Sequence, residues 1–120
     1  MTVHAARTAR ADLPEAFRDS VLGLYLDDYA APVFAQGRLS TLEAGQAMEP
    51  TGEGSLHVLL HGRLAGKDDW YGPGNHFEDA YAEGLSAASG PAMLWTFDTT
   101  GGAWLTAAIN TPRGWRWRVR

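Results

Sequence analysis

Apolar and polar positions change period near residue 37 and divide the chain into two textures. Before that point Phe17, Val21, Tyr25 and Tyr29, with Leu22 and Leu26 beside them, recur at helical spacing and give one apolar face. Asp12, Pro14 and Glu15 read as a helix start, so the pattern predicts a helix over 14–29, and Pro32 disfavours its continuation. From Arg38 onward short runs broken by Gly and Pro predict strands at about 38–43, 46–49, 55–61, 63–66, 69–71 and 92–97.

Alternation assigns the faces of the central run. Val58 and Leu60 share one side, while His57, Leu59 and His61 share the other, and the hydrophobic character of both sides suits a roll or sandwich. The run ends on Gly62, which reads as the start of a hairpin, and Gly72-Pro73-Gly74 reads as a corner. Residues 79–89 are compatible with a short helix or a loop. Residues 103–110 fit either helix or strand, whereas Trp115-Arg116-Trp117-Arg118-Val119 alternates as a last strand.

The expected fold is mainly β with an N-terminal helix: a single-domain antiparallel β-roll, jelly-roll-like, over 12–120, preceded by a flexible N-terminus at 1–11. The alternative is an α+β cone-shaped pocket fold, with the early helix packed on a curved sheet. At 120 residues, 45% hydrophobic and 20% charged, the chain suits one folded domain. A net charge of −4 supplies no overall field for nucleic acid or an anionic membrane, although Arg113, Arg116, Arg118 and Arg120 crowd the end. The absence of cysteine excludes disulfides, thiolate metal sites and cysteine nucleophiles. No signal peptide or membrane span is visible, so a cytoplasmic location is the expectation.

Candidate chemistry centres on histidines and carboxylates. His57 and His61 lie four residues apart on a strand, about 13 Å, too far to grip one ion together. His76 with one of them and a carboxylate would make a cupin-like metal enzyme, which is the rival function. Glu78, Asp79 and Glu83 read as a solvated acidic rim. Trp70, Trp95, Trp104, Trp115 and Trp117 read as core or interface residues, and a homodimer through Trp115 and Trp117 is expected.

Taken in order, Leu42-Glu43-Ala44-Gly45, Leu56-His57-Val58-Leu59-Leu60-His61-Gly62-Arg63-Leu64 and Gly72-Pro73-Gly74-Asn75-His76-Phe77 resemble the cyclic-nucleotide-binding domain of catabolite-activator-type regulators. The resemblance covers about residues 14–110 and implies a β-roll related in shape to the cupins. In that family the corner continues into Gly-Glu and then Arg-Ser or Arg-Thr, and helix amides with the arginine hold the cyclic phosphate. Here Glu78-Asp79 and Leu85-Ser86 stand in those places, and a carboxylate in place of glycine repels phosphate. Family transcription factors continue into a helix-turn-helix domain, and with the sequence ending at Arg120 the resemblance leads to the expectation of a solitary roll without its DNA reader. The expected function is therefore a stand-alone, non-catalytic sensor or regulatory interaction domain that does not bind cyclic nucleotides. His57, His61, His76, Glu78 and Ser86 are its expected ligand-binding residues, with no catalytic residue, metal or cofactor, and its partner is an unidentified small molecule or protein.

Overall fold

In the computed structural model, described over residues 12–52 and 54–97, the early segment is not one helix. It divides into α1 (Glu15–Arg18), α2 (Val21–Leu26), a 3-10 turn (Asp27–Tyr29) and α3 (Ala30–Gln36). Ser20 causes the first break: its backbone is extended, and its hydroxyl donates to the Phe17 carbonyl at 2.7 Å while accepting from the Gly23 N–H at 3.0 Å. A serine cap of this kind contributes about 1 kcal/mol. Gly23 allows the close fold-back, because a Cβ there would lie 2.1 Å from the Phe17 carbonyl oxygen.

Two other expectations about this segment change. Pro14, not Asp12, occupies the cap position of α1, and no side chain caps it. Pro32 sits in the first turn of α3, where its missing N–H has no helical partner to lose, so helix continues past it. Phe17, Leu22 and Leu26 are buried as their spacing predicts, but Tyr29 beyond the break is 72% exposed.

The strands are β1 (Arg38–Leu42), β2 (Leu56–Ala65), β3 (Trp70–Tyr71), β4 (His76–Glu78) and β5 (Ser86–Phe97). They form one antiparallel sheet in the order β1-β5-β2-β3, with β4 also paired to β2. One edge of β2 takes β5; the other takes β4 along Leu56–Val58 and β3 along Leu64–Ala65. The expected strand at 46–49 is reduced to a single bridge between Ala47 and Ser86. The strand expected at 92–97 begins at Ser86 instead, and only Asp79–Tyr81 of the preceding segment is helical, as 3-10.

β2 runs on through Gly62, where a hairpin was expected. The β2–β5 register shifts on both sides of His61, and Gly62 has φ +87° with the Pro91 carbonyl oxygen 2.4 Å from where a Cβ would stand. Between Leu59 and His61 the extra residue is on β2, between His61 and Arg63 the extra residues are on β5, and the alternation of β2 reverses across this irregularity. Leu59 before it and Leu64 after it consequently face the same interior.

Two hydrophobic cores result, one on each face of the sheet. Leu56, Val58, Leu60 and Trp95 pack outward against Leu13, Phe17, Leu22, Leu26, Ala30 and Ala31. Leu42, Met48, Leu59, Leu64, Phe77, Leu85, Ala92 and Leu94 fill the inside of the roll with smaller alanines. Trp95 is fully buried; its ring lies 4.8 Å from Phe17, and its indole N–H donates to the Phe34 carbonyl at 2.9 Å. The expected elements at 103–110 and 115–119, the N-terminus at 1–11 and the dimer contact through Trp115 and Trp117 lie outside the described residues. Among the described residues no helix is long and apolar enough to cross a membrane.

Candidate functional site

Alternation on β2 turns His57 into the roll, where it is 1% exposed. Its partners come from distant parts of the chain. Nδ1 lies 2.9 Å from Thr96 Oγ1 on β5, and Nε2 lies 2.8 Å from Asp79 Oδ1 at the start of the 3-10 turn. Asp79 is itself buried, and it also accepts the backbone N–H groups of Thr51 and Gly52, each at 2.9 Å. Its own N–H donates to the Ser55 carbonyl at 2.9 Å, and the Ser55 and Thr51 hydroxyls are 2.8 Å apart. One carboxylate thus ties the loop before β2 to strands β2 and β5.

Burial by itself pushes the Asp79 carboxyl up, but the Thr51 N–H, the His57 ring and the Gly52 N–H outweigh it, and its pKa falls below the ordinary aspartate value. An ionised carboxylate only accepts, so the hydrogen of the His57–Asp79 bond resides on Nε2. Every buried side-chain nitrogen and oxygen among the described residues has a partner. Hydroxyl, imidazole and carboxylate follow one another here as in a nucleophile relay, yet Thr96 is 5% exposed and the carboxylate already accepts from three donors.

The other expected site residues are dispersed. His61 is exposed beside the bulge, Glu78 is exposed on β4, and Ser86 is half-buried where it pairs with Ala65. His76 lines a hollow with Val21, Trp70, Tyr71, Gly74 and Asn75. His57 borders a different cleft of about 330 Å³, with Arg38, Ser40, Gln46, Glu49, Thr51 and Thr96 among its polar walls and Leu42, Met48 and Leu94 among its apolar ones. Among the described residues no three histidine or carboxylate side chains gather into a group that could hold a metal ion, so a cupin-like centre is not favoured.

Asp79 corrects the expected acidic rim: Glu78 and Glu83 are exposed, but Asp79 is 5% exposed and turned inward. Thr96 and Thr51 were not foreseen either. Alternation from the apolar Trp95 places Thr96 on the inner face, which was the available signal; nothing local marks Thr51.

The Gly72–Asn75 corner forms a tight turn. The Asn75 N–H donates to the Gly72 carbonyl at 3.0 Å, and Gly74 has φ +92°, as a type II turn with Pro73 ahead of it requires. Gly74 N–H and Asn75 carbonyl then bond to Leu59 at 2.7 and 3.0 Å, which pins the corner to β2.

Neither a family model nor a curated protein matches the sequence. Solved structures do match the fold. A cAMP-bound protein kinase A regulatory subunit, PfPKA-R, superimposes with a TM-score of 0.64 at 14% identity, over 88% of this chain and 43% of that one. The regulatory subunit of a cAMP-independent protein kinase A from Trypanosoma brucei, as a mutant bound to cAMP, gives 0.56 at 16% identity, over 96% and 52%. The N-terminal domain of a transcriptional regulator from Streptomyces coelicolor gives 0.52 at 16% identity, over 88% and 91%. The chain spans about half the length of the kinase subunits it resembles. Its sheet, corner and flanking helices have the β-roll fold of cyclic-nucleotide-binding domains.

Proposed function

We propose that the chain is a non-catalytic regulatory roll that responds to a small uncharged polar molecule in its interior cleft and does not take cyclic nucleotides. The observation that carries this reading is Asp79, an ionised carboxylate buried at the corner after Phe77 and held there by Thr51, Gly52 and His57. A phosphate brought to that corner meets Glu78 and Asp79, and from residue 76 to 89 the sequence has no arginine or lysine to offset them. The Trypanosoma brucei subunit supports the same logic, since it is described as cAMP-independent and is bound to cAMP as a mutant with three substitutions, one of which introduces an arginine. Arg38 and Glu49 bring one charge of each sign to the cleft wall, which favours a neutral ligand.

Thermal melting in the presence of cAMP, cGMP, adenosine and guanosine tests the reading. Neither cyclic nucleotide shifts the melting temperature at a concentration that would saturate a micromolar site. Stabilisation by several degrees with either would overturn it.

A further inference from the structure

The hollow that contains His76 is separate from the interior cleft. It measures about 360 Å³, and Trp70, Tyr71 and His76 give it aromatic walls beside Val21. A second hollow of about 320 Å³, bordered by Glu15, Asp19 and Pro73, meets it at Gly74. Together they follow α1 and the start of α2 past the Gly72–Asn75 turn.

Two properties distinguish this groove. Trp70 is 67% exposed although it belongs to a paired strand, so its indole is presented rather than packed. Carboxylates border the groove at its far end, Glu15 and Asp19, and Asp69 precedes Trp70 in the chain, where burial and then the Asp69 charge raise the pKa of the Tyr71 phenol. The cation Arg18 is bonded to Asp19 through Nε at 3.3 Å, but both side chains are exposed and the pair is screened. An exposed indole in one hollow, with Glu15 and Asp19 lining the hollow that adjoins it at Gly74, is complementary to a segment carrying a planar, weakly hydrated cation, for which guanidinium is better suited than ammonium.

We propose that this groove docks an arginine-bearing segment of a partner protein, with a guanidinium over the Trp70 indole and Glu15, Asp19 and Asp69 supplying the opposite charge. The interior cleft plays no part in it.

Fluorescence anisotropy with a labelled peptide of alternating glycine and arginine, at low salt, tests the proposal against a matched peptide carrying citrulline. The arginine peptide binds at least tenfold more tightly, and its affinity falls as salt is added. Trp70→Ala weakens binding about two- to fivefold, Asp19→Asn lowers both affinity and salt dependence, and Tyr29→Ala, outside the groove, changes neither. All three side chains are exposed, and unchanged melting curves verify that the variants fold. Equal binding of the citrulline peptide, or full affinity in Trp70→Ala, would overturn the proposal. So would a dimer of the protein alone, seen in sedimentation and dissolved by Trp70→Ala, because the groove would then hold a second copy.

Discussion

Asp79 and His57 meet at 2.8 Å inside the roll, with 5% and 1% of their surfaces exposed. The pair adds a side-chain tie to three segments, the loop at 51–52, the inner face of β2 and the 3-10 turn after β4, that the β2–β4 ladder and the Asp79 N–H to Ser55 carbonyl bond already bring together. In a low-dielectric interior such a bond is worth more than at the surface, and an orphaned partner costs correspondingly more.

Removing the carboxylate is therefore expected to destabilise the fold strongly. Asp79→Ala leaves the His57 Nε2–H and the Thr51 and Gly52 N–H groups without their acceptor, a loss of about 2–4 kcal/mol. His57→Ala takes one donor from the buried carboxylate, leaves Thr96 Oγ1 without the ring and opens a cavity, a loss of similar size. A double-mutant cycle by urea unfolding should return a coupling of about 1–3 kcal/mol between the two side chains, and additive losses would contradict the described network.

Acid should expose the same carboxylate. Its pKa is lower folded than unfolded, so its contribution is complete above the unfolded value of about 4 and disappears as pH falls through the folded value. Urea midpoints measured from pH 7 downward should accordingly hold level with respect to this group until about pH 4 and then decline. In Asp79→Asn, which cannot titrate there, the decline is shallower.

Gly37 and Trp95 form a second close pair. A Cβ at Gly37 would stand 2.2 Å from the indole Nε1, which donates to Phe34, so the loss of space falls on the buried ring. Gly37→Ala should cost about 1–3 kcal/mol. Because the clash is with the indole, the same substitution in a Trp95→Phe background should cost less. An equal cost in both backgrounds would place the strain elsewhere.

Much of the roll is legible in the sequence. The alternation of β2 assigned Val58 and Leu60 to one core and His57 and Leu59 to the other, and the Gly72–Asn75 corner turned where its glycines allowed. Helix breaks were less legible, since the apolar period runs through Ser20 while its hydroxyl ends one helix and begins another. At Gly62 the sequence offers a turn residue, but whether the chain turns there or runs on as strand depends on β5 lying against it.

Side-chain period, backbone freedom at glycine and formal charge are local properties, and they suffice for the class of fold and the acidic character of the corner. Which carboxylate is buried, and what holds it, is fixed by contacts between distant segments. Asp79 finds His57 across 22 residues, and His57 finds Thr96 across 39. Burial and hydrogen bonding belong to the neighbours that folding brings together, so Glu78 and Asp79, adjacent and chemically alike in the chain, end one in water and one in the core.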